Sequence, residues 1–145
     1  MTQQIQSQIK IQASAENVWN ALLDFQSYPL WNPFITKIVG EPIVGTSIKV
    51  TLIAPNSHSM IFKPTIIENN PNESFIWSGK LFFKGLFDGK HIFQIKQNED
   101  NSCTFIQREI FSGLLIRFFN PTNTKMGFEL MNKALKEYVE SRCIS

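Results

Sequence analysis

His91 and Glu109 are the two residues of this sequence best placed to do chemistry together. Each sits on the otherwise apolar side of an alternating segment: His91 with Phe93 and Ile95, Glu109 with Cys103, Phe105, Gln107 and Phe111. The two segments are consecutive, separated by the polar stretch Gln97 to Ser102, so an antiparallel pairing would bring imidazole and carboxyl together. A facing pair of this kind has three uses. It can act as a general acid–base dyad, or hydrogen-bond the carbonyl or hydroxyl of a ligand. It can also be a mutually satisfied polar pair inside a core, where either group alone would be costly. The residue types leave all three open.

Around that pair the sequence offers a set of candidate lining residues. Phe75, Trp77 and Gly79 share one side of a further strand-like segment, and Trp77 would stack on a flat ligand or serve as core. Phe93 and Phe111 extend the same face. From a C-terminal helix, Met126, Leu130 and Met131 would floor the space, methionine adapting to irregular shapes. Gly127, in the middle of that helix face, either leaves cavity space or allows a strand to come close. The segment Leu81–Phe87 is too apolar for an ordinary turn. Its Phe82, Phe83 and Leu86 read as a gate over the pocket, or as strand ends tucked against the terminal helix. Tyr28 and Trp31 read as fixing a turn, and His58 as a solvated loop residue.

Other chemistries are not indicated. There is no glycine-rich phosphate loop, no Gly-x-Ser-x-Gly elbow, no HExxH and no cluster of metal ligands. His91 and Glu109 alone would leave a metal short of ligands. Cys103 and Cys143 match no metal or redox spacing. No cofactor and no metal are therefore expected, and a reduced, cytoplasmic setting is the default. The net charge of +2 is small and its basic residues are dispersed, which argues against nucleic acid. The Gln-rich start, Met1 to Lys10, does not resemble a signal peptide, and no window approaches the ~20 apolar residues that span a bilayer, so no stable membrane insertion is expected.

The elements that would position these residues follow from periodicity. The chain of 145 residues suits one domain spanning 1–145, large enough to bury roughly 68–70% of its unfolded surface without disulfides. Thirteen Phe residues exceed what packing alone asks of a small domain and suggest an aromatic-lined cavity. Ile5, Ser7, Ile9 and Ile11 alternate with Gln4, Gln6, Gln8 and Lys10, the mark of a half-buried strand. Ser14 stands at an N-cap position before a helix from Ala15 to Phe25, which the two prolines of Tyr28–Pro33 must end. Strands follow from Ile35 to Ser112, one of them interrupted by Pro64, which implies a bulge or an edge. A long one-sided helix occupies Thr124 to Ser141, with Met126, Phe128, Leu130, Met131, Ala134, Leu135, Tyr138 and Val139 on a wide apolar arc. This order predicts an α+β fold: a curved antiparallel sheet of about six or seven strands around a long C-terminal helix, with two short helices after the first strand.

Three passages carry a resemblance to a known group. They are Ile11–Trp19, then Phe25–Phe34 with its spacing of Tyr, Trp and Pro. The third is the set Trp77-Ser78-Gly79, Gly89–Phe93, Thr104-Phe105 and Glu109–Gly113. They resemble the START-like (SRPBCC) helix-grip superfamily, which includes polyketide cyclase/dehydrase and lipid transport proteins, and the third set is similar to a bacterial subgroup of it. The resemblance covers nearly the whole chain and implies the helix-grip fold. For function it implies a small hydrophobic ligand but does not choose a role, since the superfamily contains carriers, cyclases and regulators. Three expectations follow. The first is a non-catalytic binder or transporter of a small hydrophobic, partly polar ligand held by Phe75, Trp77, His91, Phe93, Glu109, Phe111, Met126, Leu130 and Met131. The second is a cyclase- or aromatase-like enzyme using His91 and Glu109. The third is a regulator acting through a protein partner. Oligomeric state is left open by the residues.

Overall fold

A computed structural model describes residues 2–81, 85, 87–114, 116 and 120–142. The first strand, β1 (Thr2–Ile11), leads into α1 (Ala15–Leu23). Ser14 caps that helix as its spacing predicts: it has extended backbone dihedrals, and its Oγ accepts from the Asn17 N–H at 3.1 Å. The helix stops two residues before Phe25. A short 3₁₀ turn (Phe25–Ser27) and a one-turn helix, α2 (Tyr28–Trp31), follow, with Pro29 in the first turn, where its missing N–H costs nothing. The buried Tyr28 hydroxyl donates to the Leu22 carbonyl at 2.6 Å and ties the break together.

The strands come next: β2 (Ile35–Val39), β3 (Lys49–Leu52), β4 (Met60–Phe62), β5 (Thr65–Asn70), β6 (Ser74–Leu81), β7 (Phe87–Gln97) and β8 (Cys103–Ser112). Five of them form an antiparallel sheet in the order β1-β8-β7-β6-β5, and β2-β3-β4 form a smaller one. Pro64 separates β4 from β5, so its segment serves both sheets, and a bulge lies between Ile66 and Glu68. The two sheets are laced together through the backbone of Gly45, Thr46 and Ile48. The Gly45 and Ile48 N–H groups donate to the carbonyls of Ile66 and Pro64, and Ile66 N–H donates to Thr46. The result is one curved antiparallel surface, with first and last strands side by side from Thr2↔Ser112 to Ile11↔Cys103.

The concave side is filled by α3 (Thr122–Arg142), which lies along β1 and touches α1. Its buried stripe is Gly127, Phe128, Met131, Asn132, Leu135 and Val139, the i, i+4 row of one helix face. That stripe is narrower than the apolar arc of the sequence. Met126 and Leu130 lie beside it and are 40% and 46% exposed. They are therefore not part of the interior floor, a correction to the expected lining. Hydrophobicity placed them on the arc, but each is a helical step, about 100°, away from the residue that faces the sheet. Met131 is fully buried.

Candidate functional site

The hairpin of β7 and β8 makes His91 and Glu109 direct cross-strand partners. The same row continues to Trp77 on β6 and to Ile5 on β1, so Trp77, His91, Glu109 and Ile5 stand abreast on the concave face. His91 Nδ1 is 3.8 Å from Glu109 Oε1, with side chains 4% and 14% exposed. The expected pair is thus brought together, at a separation too long for a direct hydrogen bond.

The imidazole sits inside an aromatic cluster. Its ring stacks on Phe93 at 4.1 Å between centroids, with Phe128 at 5.0 Å and Trp77 at 5.4 Å. Phe75 continues the cluster from Trp77 toward Trp19 and Phe25. Phe75, Trp77, Phe93, Phe111 and Met131 are all buried, so the structure gathers these lining candidates on the concave side. Trp31 is elsewhere, stacked on Tyr138 of α3 at 5.6 Å. His58 is exposed in the loop after β3. The gate candidates Phe82, Phe83 and Leu86 lie outside the described residues.

Two residues that the sequence reading did not single out complete the site. Gln107 Nε2 donates to the Phe128 carbonyl at 3.3 Å and to Asn132 Oδ1 at 2.8 Å, while its Oε1 faces His91 Nε2 at 3.0 Å. Asn132 Nδ2 donates in turn to Ser7 Oγ at 3.1 Å. A buried polar chain therefore runs from His91 on β7 through β8 and α3 to β1. The signal was present in the sequence: Gln107 falls on the inward row of β8, and Asn132 lies between Phe128 and Leu135 on the buried stripe. A polar side chain at such a position needs a partner.

Burial sets the charge state of both groups. It pushes the Glu109 carboxyl up to about 8 and pulls the His91 imidazole down to about 3, the latter partly opposed by the hydrogen bond to Gln107. At neutral pH the pair is neutral: a carboxylic acid facing an uncharged imidazole. Glu109 Oε2 is buried and has no hydrogen-bond partner. Gly89, two pairs further along the hairpin and opposite Phe111, leaves room beside the carboxyl. A methyl group there would stand 3.5 Å from Oε1. No group of three or more potential metal ligands occurs among the described residues, and no helix described is long and apolar enough to cross a membrane.

Solved structures share this architecture at low sequence identity. Norcoclaurine synthase from Thalictrum flavum, in complex with dopamine and hydroxybenzaldehyde, superposes with a TM-score of 0.75 at 16% identity, covering 100% of this chain and 90% of that one. Major latex-like protein 151 from Panax ginseng gives 0.75 at 16% identity, covering 94% and 97%. A START superfamily protein from Mycobacterium smegmatis gives 0.72 at 18% identity, covering 96% and 98%. These likenesses establish the fold. No curated protein sequence matches the chain. The model of the polyketide cyclase/dehydrase and lipid transport family matches residues 2–141, nearly the whole sequence, and the chain belongs to that family.

Proposed function

We propose that this protein binds a small hydrophobic, partly polar ligand between the curved sheet and α3, with the polar end of the ligand at His91 and Glu109. The observation that carries this reading is the Glu109 carboxyl. One of its oxygens is buried without a partner, beside an imidazole that is itself packed among Phe and Trp rings. A buried polar atom left unpaired costs about 1–3 kcal/mol, and a ligand group that pairs with it recovers that cost. Family membership supports the same reading, since its description joins cyclases and lipid transport. A resident cofactor plays no part in it. The test is native mass spectrometry of the protein purified from its own cells, with identification of whatever dissociates. A reproducible small apolar compound, lost on replacing Trp77 or His91, supports binding. A clean apo mass across preparations argues against a carrier.

A second reading rests on one further feature: the Glu109 carboxyl, pushed up to about 8 by burial, faces His91 Nδ1 at 3.8 Å. In a cyclase-like reaction Glu109 would give a proton to the substrate and His91 Nδ1 would take one. Turnover of the recovered compound by wild type, abolished in Glu109→Gln while binding persists, separates this reading from simple carriage.

A further inference from the structure

The hydrogen-bond chain behind His91 determines which of its nitrogens carries the proton. Its starting point is a backbone carbonyl, that of Phe128, which can only accept. Gln107 must therefore turn its amide NH₂ toward Phe128 and Asn132 and its oxygen toward His91. An oxygen there accepts, so His91 Nε2 is the protonated nitrogen and Nδ1 is left as a bare acceptor. Nδ1 is the nitrogen that faces Glu109.

The two groups facing a ligand are then an acceptor and, in the acid form of Glu109, a donor. They are 3.8 Å apart. An oxygen atom placed at the apex of a triangle on that base reaches both at about 2.8 Å, the ordinary length for bonds of this type. Such an oxygen must donate once and accept once. A carbonyl or ether oxygen can only accept and would leave Nδ1 unpaired, while an ammonium can only donate and would need the carboxyl ionised inside an aromatic cluster.

We propose that His91 and Glu109 together recognise a hydroxyl group of the ligand, which donates to His91 Nδ1 and accepts from the Glu109 carboxylic acid, with Gln107 and Asn132 as positioning residues that fix the imidazole tautomer. This rests on the binding reading above and names the chemical group that reading leaves open.

Two measurements test it. The first is ¹⁵N NMR of histidine-labelled protein, simple to assign because the chain has only two histidines, His58 and His91. His91 should show a single neutral tautomer protonated at Nε2 across about pH 5 to 8, turning into a mixture in Gln107→Met. An Nδ1-protonated or cationic ring in the wild type overturns the proposal. The second is direct titration of wild type with naphthalene, 2-naphthol, 2-methoxynaphthalene and 2-naphthylmethylammonium, followed by tryptophan fluorescence. The naphthol should bind about tenfold or more tighter than its methyl ether, as expected when a partner is lost from a buried polar site. Equal binding of naphthol and ether, or a preference for the ammonium, overturns the hydroxyl assignment while leaving hydrophobic binding standing. Failure of all four to bind removes the hydroxyl assignment together with the binding reading for ligands of this size. Both wild-type arms hold whether or not the Gln107 variant folds.

Discussion

The ring of Phe34 occupies the place where a side chain at position 127 would be. A methyl group built on Gly127 would stand 2.3 Å from Phe34 Cδ1 and 2.5 Å from Cε1. Phe34 is fully buried and meets Phe128 edge-on at 5.6 Å, so the ring has nowhere to retreat. The missing side chain in the middle of α3 is thus used by a phenylalanine from the segment before β2. Gly127→Ala should destabilise the fold by about 1–3 kcal/mol through overpacking, outweighing the gain in helix propensity of about 1 kcal/mol. Urea denaturation checks this, and Gly127→Ala combined with Phe34→Leu should recover part of the loss.

The opposed shifts of His91 and Glu109 give stability a flat top in pH. Glu109 is raised from 4.5 to about 8, so the folded state holds a proton that the unfolded state has released. Its contribution is complete below 4.5 and is lost as pH rises toward 8. His91 is lowered from 6.5 to about 3, so its contribution is complete above 6.5 and is lost as pH falls toward 3. Between 4.5 and 6.5 the two slopes cancel. Above 6.5 stability should decline by at most about 1.4 kcal/mol per pH unit up to about pH 8. Glu109→Gln should flatten that upper limb. Below 4.5 the limb is shared, because Lys10 holds Asp100, and Lys136 holds Glu140, below their ordinary carboxylate values. Thermal melts across about pH 4 to 8.5 distinguish the two limbs.

Gln107→Leu should cost more than an ordinary polar-to-apolar change. The substitution strands the His91 Nε2–H and the Asn132 Oδ1, both buried, at about 1–3 kcal/mol for each group left without a partner. Asn132→Leu, which removes a different link, should not add its full cost in the double variant, since both belong to one network. Chemical denaturation of the two singles and the double gives the coupling.

Met131 and its neighbours separate burial from hydrophobicity. Met131→Ala should destabilise by about 2–5 kcal/mol. Met126→Ser and Leu130→Ser, at exposed positions, should stay within about 0.5 kcal/mol and leave ligand recovery unchanged. Loss of ligand in either serine variant would return those residues to the site.

Much of the framework was legible because it rests on short-range patterning. The alternation of β1, the cap at Ser14 and the cross-strand meeting of His91 with Glu109 each follow from period and spacing within one or two elements. Pro64 showed an interruption, but not that the strands on either side belong to different sheets, because sheet membership depends on partners distant in sequence. Met126 and Leu130 went astray because a helical wheel records hydrophobicity and not which arc another element covers. Phe34 filling the notch at Gly127 is a relationship between two segments far apart in sequence, and no local pattern encodes it. Gln107 and Asn132 were visible as polar residues on apolar faces, yet only the three-dimensional arrangement shows that they serve each other and His91.

The pairing of the first strand with the last also governs how the chain comes to be folded. Among the described residues β1 pairs in the sheet with β8 alone, and Ser7 meets Asn132 across 125 positions of sequence. During synthesis at ~5–20 residues per second, β1 waits on the order of 10 s for its partner to be made. Contacts this distant slow folding, and an unpaired strand left waiting invites association with other chains. The row of Gln4, Gln6, Gln8 and Lys10 on its outer face, exposed in the finished protein, keeps the nascent strand from being sticky on both sides. Deleting α3 and β8 should therefore leave β1 without a partner, and a ribosome-bound chain truncated before Cys103 should be cut readily by protease within Thr2–Ile11.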